Sequence, residues 1–158
     1  VPVDEMKTMV ADVKTGAVKG LVSAVLLFKN DCGKCPNLSQ FLTQARASGV
    51  YILDEKQYEA SSKEGQQLLS KYSIKRLPAL VFSNSLGDYE AVQQNWANVG
   101  TRESDGSYIM REIPPPYYDF QKKDVVGLVG VVYITDNGCA SCYNVTLHRE
   151  ILRAWKYH

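Results

Sequence analysis

The stretch Val25–Asn37, VLLFKNDCGKCPN, decides how the rest of the chain reads. Its four opening residues, Val25–Phe28, are apolar, with the length and composition of a buried strand. A polar turn follows, then Cys32-Gly33-Lys34-Cys35-Pro36. Beyond it Leu38, Phe41, Leu42 and Ala45 recur at i, i+3, i+4 and i+7, the stripe of an amphipathic helix. A strand thus delivers a Cys-x-x-Cys to a helix start. Unpaired N–H groups and the positive end of the helix dipole there favour a thiolate, the nucleophile of disulfide exchange. Cys35 is expected one turn deeper than Cys32, placed to close on it.

Composition bounds the rest. The chain has 158 residues, 45% hydrophobic and 22% charged, enough for one ordinary core and an appendage. A net charge of +1 gives no electrostatic footprint for nucleic acid. The apolar runs are too short to cross a bilayer. The chain opens at Val1 with no signal peptide, as expected of a processed or excised product. Its four cysteines form two Cys-x-x-Cys pairs, Cys32/Cys35 and Cys139/Cys142. That is too sparse for a disulfide-built scaffold and points to redox chemistry or metal ligation.

Taken in order, Val1–Val18 reads as a helix, with Val3, Met6, Met9, Val10 and Val13 on one face. Leu21–Phe28 reads as a strand, the next helix runs to about Ser48 with Gly49 as its cap, and Val50–Leu53 is a short second strand. Ser61–Tyr72 is a helix capped by Ser61 or Ser62, with Glu64 near the capping-box position. Ile74–Phe82 is a turn, a proline and an apolar strand. Asn84–Asp88 has the composition of a hairpin turn, and Tyr108–Ile113 reads as a strand. Pro114–Asp124 is expected to be a proline-rich linker. Val125–Thr135 is a further apolar run leading into Cys139-Ala140-Ser141-Cys142 and a last helix.

With these residues in place, Leu21–Ile113 resembles the thioredoxin superfamily. The resemblance rests on the strand feeding Cys32-Gly33-Lys34-Cys35, the following helix–strand–helix, and Lys71-Tyr72 with Ile74-Lys75-Arg76-Leu77-Pro78 opening the next strand. Pro78 follows Cys35 by 43 residues, a spacing that suits the family. The resemblance implies an α/β fold with a central mixed sheet flanked by helices. It also implies that Pro78 is the cis-proline beside the redox cysteines, and that Leu77 offers its backbone to an extended substrate. The chain departs from the family pattern at Asp31, where tryptophan is common, and at Leu26, where many members keep a buried acid. Pro36 is more typical of glutaredoxin-type and hyperthermophile domains. Asp31 opposes a Cys32 thiolate and Lys34 favours it. The tail VVYITDNGCASCYNVTLHREIL repeats the plan of VLLFKNDCGKCPNLSQFL and resembles the opening strand–helix unit of a second such domain.

The expected organisation is a thioredoxin-like domain at 1–113, a linker at 114–124 and a βα appendage at 125–158. The expected function is thiol–disulfide exchange on protein cysteines, with Cys32 attacking, Cys35 resolving, and Leu77 and Pro78 shaping the substrate groove. No cofactor is needed, because the cysteines carry the electrons. The partners implied are protein thiols or disulfides and a redox reductase or oxidase; a homodimer through the C-terminal unit is a further expectation. For Cys139/Cys142 three readings stay open: a second redox pair, a stable local disulfide, or part of a zinc site with His148. Two rivals concern the whole chain: a redox-inactive binding module on the same fold and a zinc-binding module. Localisation is read as extracytoplasmic, with a thermophile cytosol as the alternative.

Overall fold

A computed structural model describes residues 10–11, 16, 18–132, 134, 138 and 146–155. The chain divides into two units, Val1–Leu128 and Val129–His158.

The first unit is built on a five-stranded mixed sheet. Val22–Phe28 (here β3) lies beside Ile52–Glu59 (β4) in parallel and beside Ala79–Phe82 (β6) in antiparallel. Tyr108–Met110 (β8) pairs with β6, and Gly100–Arg102 (β7) closes the other edge, giving the order β4-β3-β6-β8-β7. Side-chain alternation splits each strand between two cores. Val22, Ala24, Leu26, Leu80, Phe82, Tyr108 and Met110 face one way. Leu27, Ala79, Val81 and Ile109 face the other.

Helices cover both faces. Ser39–Ala47 (α1) buries Leu42 in the first core, with Leu38 just before it. Glu90–Asn95 (α3) leads to Trp96, which sits edge-on to Phe82 and Tyr108 and donates Nε1–H to Thr101 O. Lys63–Lys71 (α2) turns Leu68, Leu69 and the adjoining Tyr72 to the second core. Ser62 caps it, its Oγ accepting from Gly65 N. Residue 65 therefore holds the position a capping-box acid would need, and Glu64 does not complete a box.

Four sequence expectations change. The second strand continues through the charged run Asp54–Glu59, because it is an edge strand with little to bury. Asn84–Asp88 is a 3-10 turn into α3, not a hairpin; the hairpin is β7–β8, turning at Asp105-Gly106. Where a helix was expected, Val10–Ala11 (β1) and Val18–Lys19 (β2) pair as an antiparallel ribbon, and residues 1–9 lie outside those described. The fourth concerns the linker. Tyr117–Asp119 (β9) and Asp124–Val126 (β10) form a hairpin, and β9 pairs with Arg76–Leu77 (β5). A proline has no N–H for a ladder. Pro78 divides Ile74–Phe82 into two strands that join different sheets, β5 in the small sheet β10-β9-β5 and β6 in the main one.

A shift of 107 residues carries Cys32 and Cys35 onto Cys139 and Cys142, and Gly20-Leu21-Val22 onto Gly127-Leu128-Val129. The same shift carries β1 and β2 onto β9 and β10, and α1 onto Thr146–Trp155 (α4). The recurring pattern thus begins before the strand, at a hairpin. Val129, Val132 and Ile134, equivalent to Val22, Val25 and Leu27, are exposed, and of the apolar run Val125–Thr135 only Val125 and Val126 are strand among the described residues.

Candidate redox site

Cys32 and Cys35 are joined by a disulfide, their Cα atoms 5.3 Å apart. The pair sits in two successive turns beyond the carboxyl end of β3. Cys32 N donates to Lys29 O at 3.1 Å, and Cys35 N donates to Cys32 O at 3.0 Å. The helix begins only at Ser39, four residues past Cys35. Pro36 disfavours helical backbone at Cys35, and Asn37 Oδ1 accepts from Ser39 N, which sets the helix start further on. A helix-terminal effect fades within about one turn. The expected dipole stabilisation of a thiolate therefore does not carry over to this geometry.

The expected depth order also changes. Cys32 is buried, 8% exposed, while Cys35 is half-buried. Cys35 Sγ lies 3.6 Å from Leu77 O. The Leu77–Pro78 peptide bond is cis. Pro78 lies in the same lining as the two cysteines. Together with Leu26, Leu38 and Gln57 they line a cavity of about 270 Å³.

Leu26 is 5% exposed and stands opposite Gln57 in the parallel β3–β4 register. Neither is a carboxylate, so this wall of the cavity offers no ionisable proton acceptor. Gln57 lies beyond the second strand that the sequence predicts, which ends at Leu53, while β4 runs on to Glu59. Nearby charge is arranged on the loop. Lys29 Nζ is 3.0 Å from Asp31 Oδ2, and this hydrogen bond holds the Lys29 ammonium above its usual pKa. Asp31 is thereby matched by Lys29, and the exposed Lys34 leaves the loop with a positive surplus.

A larger cleft, about 450 Å³, lies beside Ser73–Arg76 and Met110–Ile113. It holds no thiol, and Arg111 there is committed to Tyr72 O and Glu103. Cys139 and Cys142 lie outside the described residues, as does the side chain of His148. Among the described residues no group of three or more His, Cys, Asp or Glu side chains is placed to hold a metal, and no helix is long and apolar enough to cross a membrane. No family model, curated protein or solved structure matches this chain.

Proposed function

We propose that the protein is a thioredoxin-like thiol–disulfide oxidoreductase acting on protein cysteines. The observation that carries this reading is the closed Cys32–Cys35 disulfide lining one cavity together with Pro78. A substrate thiolate attacks one sulfur, forms a mixed disulfide and releases the other cysteine as a thiolate. A second substrate thiolate then attacks the substrate sulfur of the mixed disulfide. The substrate leaves as a disulfide, and Cys32 and Cys35 remain as two thiolates, which take up protons from water. The reverse sequence reduces a substrate. Reoxidation or rereduction requires a partner dithiol or disulfide protein.

The sequence assigns the attack to Cys32. The burial order favours Cys35 as the sulfur an incoming group meets first. Cys32→Ser and Cys35→Ser variants distinguish the two, because the one that retains the substrate-facing sulfur accumulates a stable mixed disulfide.

Titration in glutathione buffers, with each cysteine pair read by mass spectrometry, tests the function. Reversible titration of Cys32/Cys35 within about −270 to −120 mV supports exchange. A pair that stays oxidised throughout that window makes this a structural or binding module instead. The repeated segment, offset by 107 residues, favours the same chemistry at Cys139/Cys142, and the same experiment reads that pair. Metal analysis of protein purified without chelator tests the zinc reading.

A further inference from the structure

Leu77 is the residue through which an extended peptide would be expected to lie alongside the disulfide. In this chain that backbone already has a partner. Strand β9 runs antiparallel to β5, with Leu77 opposite Tyr118 and Arg76 opposite Asp119. Phe120 N donates to Lys75 O at 3.0 Å, which makes Lys75/Phe120 a hydrogen-bonding pair. Antiparallel ladders alternate, so Leu77/Tyr118, two residues along, is a hydrogen-bonding pair as well. The N–H and C=O of Leu77 are directed at the hairpin.

Side chains hold the hairpin there. Tyr118 and Phe120 pack against the core that contains Leu77, and their rings meet edge to face at 5.3 Å. Lys29, on the cysteine loop, places Nζ 5.1 Å from the Tyr118 ring centre. Arg76 lies over Tyr117 at 4.7 Å. At the turn Asp119, 8% exposed, accepts from Gln121 N and Lys122 N through Oδ1. Yet the contact is two residue pairs between β9 and β5, extended by Lys75/Phe120, which is a short ladder to displace.

We propose that the hairpin β9–β10 is a built-in occupant of the substrate edge. It leaves the Cys32–Cys35 disulfide open to small thiols and admits an extended cysteine-bearing peptide only when β9 has lifted from Leu77. This rests on the exchange reading above. The hairpin is then an autoinhibitory strand, and the partner it competes with is a segment of β-strand conformation.

Reduction of the oxidised full chain is followed with dithiothreitol and, separately, with an extended peptide dithiol. Tyr118→Pro removes the N–H that bonds Leu77, and Asp119→Ala loosens the turn with less risk to folding. Either variant is expected to speed the peptide reaction by about tenfold, the weight of one or two backbone hydrogen bonds, while the dithiothreitol rate stays within about twofold. Equal acceleration of both reagents, or of neither, overturns the proposal. Amide hydrogen exchange gives an independent reading with a peptide whose cysteines are serine. Protection must pass from Tyr118 to the bound peptide while Leu77 stays protected. Peptide binding that leaves Tyr118 protected also overturns it. A wild-type disulfide that neither reagent reduces defeats the exchange reading itself, and the amide experiment still decides the hairpin's role.

Discussion

Ser62 Oγ donates to Glu59 O and accepts from Gly65 N, tying the end of β4 to the start of α2. Ser62→Ala is expected to cost about 1 kcal/mol, read as a lower urea midpoint with an unchanged slope. Gly65 is the sharper case. Alanine is favoured over glycine inside a helix by about 1 kcal/mol, but here its Cβ would run into the Glu59 carbonyl oxygen. That obstacle is backbone and yields little, so overpacking, about 1–3 kcal/mol, outweighs propensity. Gly65→Ala is expected to destabilise, and a raised midpoint would contradict this close approach. At the site, Leu26→Asp places a carboxylate in the cavity wall shared with Cys35. Burying it costs roughly 3 kcal/mol or more, seen in the same urea assay. It also supplies a proton acceptor, so the mixed disulfide should resolve faster in stopped-flow measurements. The cysteine pair and Pro78 were legible at this scale because their chemistry is local. The depth order of the cysteines was not, since it assumes a helix that starts at the cysteine pair, whereas Pro36 and Asn37 delay the start to Ser39.

The β7–β8 hairpin gathers the strongest shifts in proton affinity. The hydroxyl of Thr101, then Arg111, hold the Glu103 carboxyl below its usual pKa. Lys71, then Ser107 N, do the same for Asp105. A carboxylate lowered in this way contributes stability above the ordinary carboxylate range and loses it as pH falls through its own folded-state value. Lys71 is raised chiefly by the same hydrogen bond to Asp105, so its contribution is present at neutral pH, goes with the Asp105 charge in acid, and on the alkaline side declines from the ordinary lysine range through its own raised value. The melting temperature should therefore fall between about pH 5 and about pH 2. Glu103→Gln with Asp105→Asn should melt lower at neutral pH and show a shallower acid slope; an unchanged slope would place the acid sensitivity elsewhere. Among the elements, β3, β6 and α2 were legible because each buries a continuous or periodic apolar face. The far half of β4 was hidden by the charges of Asp54–Glu59, and β9 by three prolines that read as a spacer before Tyr117-Tyr118. An alternation of Tyr118 and Phe120 was the available signal.

For the molecule as a whole, the α/β architecture followed from a strand, helix, strand, helix, strand order, whereas the extent of the first unit did not. Residues 1–113 omit the hairpin whose Tyr118 and Phe120 pack on Leu77 and its neighbours. A chain ending at Ile113 is expected to be less stable than one ending at Leu128 by about 3 kcal/mol or more, from partial burial of two aromatic side chains. Equal urea midpoints would show that the hairpin adds nothing to the core. The eight-residue edge strand β4 bears on how copies of the protein behave together. Its outer backbone groups would template a neighbour's strand, as open sheet edges do. Asp54, Glu55, Lys56 and Glu59 lie along that strand, Asp54 paired with Lys56 and Glu55 with Arg46, and stacking two such strands in register would set like charges against each other. The row of charge that concealed β4 in the sequence also guards the sheet against growing into a fibril.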